Sequence, residues 1–287
     1  MNDTAPPKPR KMDRITRRLI WLTIIVIVLL VCFAGYRHVL RRSVEAKLQA
    51  IRDAGHPATT VEFAARYPPI DGPNACEAIV VAAAMIDVTD PKFKALPFSG
   101  EGHLPGPSDP LDPDVLQLLE DFVTENHVDL TELHRATAID PAQLNVNYAL
   151  GLEMNLPALA TLRTAAKYLN EEALLHLERD HPDKAVDTML AALRVGQALR
   201  NDHCLIIELV RIACDRIAVD TFDRCLQRIN LTDQQLARVD HALQAAEHPE
   251  AFSQAMQFER VCGIDLFDRI ARDPSYASSP WWKSDFA

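Results

Sequence analysis

Eighteen consecutive residues, Leu19 to Tyr36, contain no charged side chain. A helix rises ~1.5 Å per residue, so this run spans about 27 Å, close to the ~30 Å hydrocarbon core of a bilayer. A stretch this apolar predicts a transmembrane helix, and whatever follows Tyr36 is then expected to work beside a membrane. The lipid bilayer is the first partner implied, through residues 19–36. Six basic residues precede the run (Lys8, Arg10, Lys11, Arg14, Arg17, Arg18) and five follow it (Arg37, Arg41, Arg42, Lys47, Arg52). That asymmetry, with the short leading segment, favours a cytoplasmic N-terminus and an extracytoplasmic C-terminal domain. The run is longer than the apolar core of a cleaved signal peptide, and its exit, Cys32-Phe33-Ala34-Gly35-Tyr36, lacks an Ala-x-Ala site. An uncleaved, single-pass signal anchor in the cell membrane is the expectation. Residues 1–18 are expected to form a basic, disordered cytoplasmic tail.

The apolar periodicity does not stop at the membrane. Val39, Leu40, Val44, Leu48 and Ile51 recur at three and four, which extends the helix outward as a juxtamembrane stalk over 37–54 until Gly55-His56-Pro57. Capping pairs then mark short helices: Thr59 with Glu62, Asn74 with Glu77, Asp112-Pro113, Asp129 with Glu132, and Thr232 with Gln235. Between them, residues 88–113 carry six prolines and three glycines and read as a linker-like surface loop. The region 55–155 is thus helical but interrupted.

From 156 to 272 the helical signal is strong. Leu159, Leu162, Ala166, Leu169, Ala173 and Leu177 form one stripe, and Ala185, Met189, Ala192, Gly196 and Leu199 a second. His203 to Ile229 is apolar over a wider arc, which predicts the most buried helix of the set. The aggregate expectation is an all-α fold: a transmembrane helix followed by an irregular bundle of stacked antiparallel hairpins. Scarce glycine (9 residues), few aromatics (6%) and abundant Ala and Leu agree with helices over sheets.

Glu171–Leu199 resembles a tetratricopeptide-type hairpin, with Ala173 and Leu177 in the first helix, an acidic-Pro turn, and the ladder Ala185, Ala192, Leu199 in the second. The first helix lacks the Trp/Gly/Tyr pattern, Pro182 replaces a Gly-Asp turn, and no ~34-residue period repeats. The whole layout, with Ile51-Arg52-Asp53-Ala54-Gly55-His56-Pro57, Tyr67-Pro68-Pro69 and Asn74-Ala75, is similar to a group of uncharacterised bacterial membrane-anchored helical proteins. That resemblance implies placement in the cell envelope and no particular activity.

From Asp53 onward, 19 Lys and Arg face 37 Asp and Glu, a net charge of −18. Such a surface repels phosphate backbones, so nucleic acid is not an expected partner. Cys76, Cys204, Cys214, Cys225 and Cys262 show no CxxC spacing, and their disulfide state is left open by the sequence. Gly-x-Ser-x-Gly, His-Glu-x-x-His, Gly-x-x-x-x-Gly-Lys-Ser/Thr and Gly-x-Gly-x-x-Gly are all missing. No catalytic residue, metal or cofactor is therefore expected. Glu172 and His176, at i and i+4, are read as an edge-of-core pair, His127 and His134 as helix-end residues, and His203-Cys204 as the start of a helix. Trp281, Trp282 and Phe286 form an aromatic tail (273–287) expected to dock on a groove, a partner or the membrane interface. Glu172, His176, Trp281, Trp282 and Phe286 are the candidate interaction surface. The expected function is a membrane-anchored scaffold or adaptor binding a protein or peptide on the hairpin surface around 171–199. The alternatives are a motif-free envelope hydrolase with a cleft beneath the 88–113 loop, or a structural spacer. The oligomeric state is left open, since no Gly-x-x-x-Gly marks the span.

Overall fold

The structure, a computed structural model, describes residues 14–278, and side chains from 17 to 276. The chain divides into two units, one ending at Ala58 and one starting at Thr59. Most of the basic tail, Trp281, Trp282 and Phe286 lie outside the described residues.

The first unit is dominated by α1 (Arg14–Asp53), 40 unbroken residues that join the apolar run to the basic stalk. It is long and apolar enough to cross a membrane. Every side chain from Leu19 to Tyr36 is exposed, an arrangement that water penalises and lipid does not. Within the apolar run the Thr23 hydroxyl donates to the Leu19 carbonyl at 2.9 Å and so needs no outside partner. The helix ends where expected. Gly55 takes φ +81°, its N–H donates to the Arg52 carbonyl at 2.8 Å, and the His56 N–H donates to Ile51 at 3.1 Å. This six-to-one and five-to-two pair is a Schellman stop, which favours glycine at the left-handed position.

Among the described residues the second unit contains nine helices: α2 (Thr60–Arg66), α3 (Ala75–Met85), α4 (Pro113–Glu125), α5 (His127–Thr137), α6 (Ala158–Glu178), α7 (Pro182–Gln197), α8 (Leu205–Arg228), α9 (Asp233–Ala246) and α10 (Ala251–Arg272). Three 3-10 turns, Pro91–Ala95, Tyr148–Glu153 and Pro274–Ser278, complete it; no strand occurs among the described residues. Thr59, Asn74 and Asp112 each accept a backbone N–H of the first turn, and Thr232 with Gln235 closes a full capping box. Asp129 does not open a helix. α5 starts at His127 because Asn126, 2% exposed, makes the turn itself. Its Oδ1 accepts the Asp87 N–H at 2.7 Å, while Nδ2 donates to the Asp87 carbonyl at 3.2 Å and to Phe122 at 3.1 Å. A buried amide bridging two segments outcompetes a local capping signal.

α6 and α7 are the centre of this unit. Three residues connect them, so they run antiparallel. α6 packs against α3, α4, α7 and α8, and α7 against α5, α8 and α9. Leu162, Ala165, Ala166, Leu169, Ala173 and Leu174 of α6 are fully buried, as are Ala185, Val186, Met189, Ala192 and Val195 of α7. Their alanines let helix axes approach. At Gly196 a β-carbon would overlap the Asp215 carboxylate of α8. The connecting turn is another Schellman stop, with Asp180 at φ +53°, its N–H on Leu177 (3.2 Å) and the His181 N–H on His176 (2.9 Å).

Two sequence expectations need correction here. α8 is not the most buried helix. Ile206, Leu209, Ile212, Val219 and Leu226 are all exposed, whereas Glu208, Arg211 and Arg224 are buried. The inward stripe of α8 is partly ionic. Arg211 holds both Glu208 oxygens (2.8 and 2.7 Å) and Asp215 Oδ2 (2.7 Å), so the guanidinium enters already paired with two carboxylates. Nor is 88–113 a loose linker. Phe93, Leu96 and Leu111 are buried. Arg224 donates to the carbonyls of Pro105 and Gly106. The fully buried Glu171 accepts from the N–H groups of Phe98 (2.7 Å) and Ser99 (2.8 Å) and from the Ser99 hydroxyl (3.1 Å), all on Oε1. Among the described residues its Oε2 has no hydrogen-bond partner.

Two outcomes follow from these contacts. Asp180→Gly should stabilise the fold by about 0.5–1 kcal/mol, raising Tm by about 1–3 °C, because glycine takes the left-handed region without strain; a β-branched residue there should lower Tm. Burial outweighs the loop's hydrogen bonds and pushes the Glu171 carboxyl up to about 7 from its ordinary 4.5. A carboxyl raised in the folded state favours folding below its unfolded value, and that contribution is lost as pH rises through the folded one. Glu171→Gln should therefore gain stability relative to the wild type as pH climbs from 4.5 to about 7. Urea unfolding on both sides of that window checks it; a constant difference between the two proteins would contradict the assignment.

Candidate functional site

An open cleft of about 720 Å³ lies in the second unit among the 3-10 turn Tyr148–Glu153, the first turns of α6 and α8, and α10. Its elements are held from below by a buried polar and aromatic cluster. The Tyr148 hydroxyl donates to Asp202 Oδ1 (3.3 Å) and accepts the His203 N–H (2.9 Å), while Asp202 Oδ2 accepts the Leu144 N–H (2.9 Å). The rings of Phe63, Tyr148 and Phe258 meet at 4.9–5.2 Å between centroids, in tilted and edge-on geometries. On the outer side, Arg269 of α10 joins Glu153 of the turn and Asp265 of its own helix, each at 2.7 Å. The cleft is thus built on braced elements, not on a free loop.

Its lining is mainly apolar: Leu152, Leu156, Leu205, Leu209, Val210 and Phe258 are representative, with Ile206 at the rim. Arg163, Glu259 and Asn155 are the polar exceptions. Glu259 has a structural duty. Cys204 opens α8 without a side-chain cap, and Glu259 Oε1 accepts the Leu205 N–H at 3.2 Å, placing negative charge at the helix N-terminus. The two cysteines in the cleft are not nucleophiles. Burial pushes the Cys204 thiol up to about 11 and the Cys262 thiol up to about 12, so both stay protonated near neutral pH. An apolar wall, one basic group and a carboxylate already engaged suit recognition of apolar groups better than proton transfer. A second, smaller groove of about 530 Å³ lies between α7 and α9, lined by Arg194, Gln197, Arg238 and His241 among others.

Glu172 and His176 do meet, and a third residue joins them. His134 Nε2 lies 2.7 Å from Glu172 Oε2, and His176 Nε2 lies 3.6 Å from Glu172 Oε1. Each carboxylate oxygen faces one imidazole, so the cluster ties α5 to α6. Among the described residues no group of three or more His, Cys, Asp and Glu is arranged to hold a metal ion. Much of the hairpin 171–199 is enclosed by α3, α5, α8 and α9, which leaves little of it open as a binding face. Beneath the 88–113 loop the acidic group is Glu171, already engaged by the loop. Sequence reasoning missed the cleft because Leu205, Ile206 and Leu209 looked like core. The one available hint was the width of the α8 apolar arc, too broad for a helix that also carries Glu208 and Arg211.

The Glu172 cluster has a measurable signature. Burial alone would raise the Glu172 carboxyl, but His134 and His176 together outweigh it and bring it down to about 2 from 4.5. A carboxyl lowered in the folded state stabilises above its unfolded value, and the contribution is lost as pH falls through the folded one. The stability difference between wild type and Glu172→Gln should be full just above pH 4.5 and shrink as pH falls towards about 2. Thermal unfolding across that range tests it, and a pH-independent difference would count against the bridge.

No protein family matches this chain, and no curated protein or solved structure does either, so the chemistry of the cleft rests on its own residues.

Proposed function

We propose that this protein is a membrane-anchored docking module whose second unit, on the extracytoplasmic side, receives an apolar segment of a partner protein in the cleft between α6, α8 and α10. One observation carries the reading. Leu150 and Leu152 on the 3-10 turn and Ile206 and Leu209 on α8 leave large apolar side chains in water beside a mostly apolar cleft. Isolated exposed leucines are ordinary, whereas several around one concavity are the pattern of an interaction site. An amphipathic helix offering side chains at i, i+3 and i+7 suits such a groove. Arg163 and Glu259 at its polar points would set the direction of the bound segment.

In this reading α6–α7, the tetratricopeptide-like hairpin, is the buried frame and not the binding face. The anchor is α1, with the basic stalk beside anionic headgroups and the acidic second unit held off the lipid by its charge. The resemblance to bacterial membrane-anchored helical proteins is consistent with this placement. The hydrolase reading gains no support from protonated thiols and a helix-capping carboxylate.

Photo-crosslinking of the full chain in its native membrane tests the proposal. A benzophenone side chain at Ile206 should yield a discrete adduct with a different protein, and the same group at Val128 on α5 should not. Leu152→Asp should abolish the adduct while leaving circular dichroism unchanged. Equal adducts from both positions, an adduct with lipid only, or one insensitive to Leu152→Asp would overturn the proposal.

A further inference from the structure

The outward face of α8 beyond the cleft carries a second pattern. Ile212, Val219 and Leu226 recur every seven residues and are 48%, 42% and 53% exposed. Arg216 and Asp223 lie between them on the same face, both exposed. At 100° per residue these five positions fall within one arc of less than a third of the helix circumference, over about 21 Å of its length. The inward face of α8 is occupied by its contacts with α6, α7 and α10, so nothing in the described unit covers this stripe.

The order of the stripe is apolar, basic, apolar, acidic, apolar, and it reads as its own charge complement about Val219. In two antiparallel copies of a helix related by a two-fold axis at Val219, residues whose numbers sum to about 438 lie opposite each other. Ile212 then meets Leu226 of the partner subunit, Val219 meets Val219 of the partner subunit, and Arg216 meets Asp223 of the partner subunit. The axis repeats each of these contacts, so two ion pairs flank a continuous apolar seam. A lipid surface would use the apolar residues but leave Asp223 unmatched. An unrelated partner would have no reason to meet a sign pattern that inverts about one residue.

We infer that this face of α8 is a self-association surface, on which two copies of the chain pair antiparallel about Val219 as an isologous dimer. Intrachain partners do not block it. Arg216 Nε holds Asp220 Oδ1 at 2.7 Å, which leaves its terminal guanidinium nitrogens to face outward, and Asp223 accepts from Gln227 at 2.9 Å through Oδ2 alone. Five positions on one helix bury less than the ~1,600 Å² of a standard interface, so the pairing is weak at dilute concentration and gains from confinement. The surface is distinct from the cleft, and its success or failure is independent of the docking proposal.

The experiment uses the full chain in lipid vesicles with Cys32→Ser, since the other five cysteines are buried. Oxidation with copper phenanthroline should link Val219→Cys copies into a disulfide dimer. Ile212→Cys alone should not link, because its counterparts lie about 21 Å apart, while a mixture of Ile212→Cys and Leu226→Cys chains should. As a second readout, Arg216→Asp or Asp223→Arg alone should weaken the dimer about tenfold by opposing like charges, and the double exchange should restore it. Failure of Val219→Cys to link, equal linking by Ile212→Cys alone, or a double exchange no better than the single ones would overturn the inference.

Discussion

The second unit depends on how closely α6 and α7 approach one another and α8. Ala165, Ala166 and Ala173 on one helix and Ala185 and Ala192 on the other present almost no side-chain bulk at the seam. Gly196 then admits the Asp215 carboxylate of α8 into space that any β-carbon would fill. Close packing of this kind gains dispersion contacts along whole helices and tolerates few insertions. Every other helix of the unit except α2 and α10 packs on this pair, and α10 reaches it through α8.

Around that frame, buried polar groups decide the placement of the irregular segments. Glu171 captures Phe98 and Ser99, Asp202 captures Leu144 and Tyr148, Asn126 joins Asp87 to Phe122, and Arg224 holds Pro105 and Gly106. An unpaired buried polar group costs more than a paired one gains, so each of these sites is selective for one arrangement of chain. The cleft is a by-product of the same logic. The Tyr148–Asp202–His203 cluster sets the turn at 148–153 against the start of α8, and the space left above it is lined by what those segments carry outward.

Buried charge also accounts for the surface of α8. Arg211 bridges the Glu208 and Asp215 carboxylates within two turns of a single helix, which makes an ionic stripe tolerable as the inward face. With that face turned in, the apolar arc of Ile206, Leu209, Ile212, Val219 and Leu226 has to point out. Two recognition surfaces on one helix, the cleft wall at its start and the palindromic stripe further along, follow from this inversion.

Much of the helical layout was legible in the chain before any coordinates. Thr59, Asn74, Asp112 and Thr232 announce their helices because capping is local chemistry, satisfied within four residues. Gly55 and the dipeptide at Asp180-His181 mark stops for the same reason, and the uncharged run Leu19–Tyr36 needs only its length to be read. What is local in energy is local in sequence. The face that α8 buries, the anchoring of 88–113, the union of His134 with Glu172 and His176, and the cleft were decided by tertiary structure alone. Each depends on pairing groups dozens of residues apart, and the free energy of a buried contact belongs to both partners. An apolar arc therefore shows that a helix has something to hide, while only the assembled fold determines which side it hides.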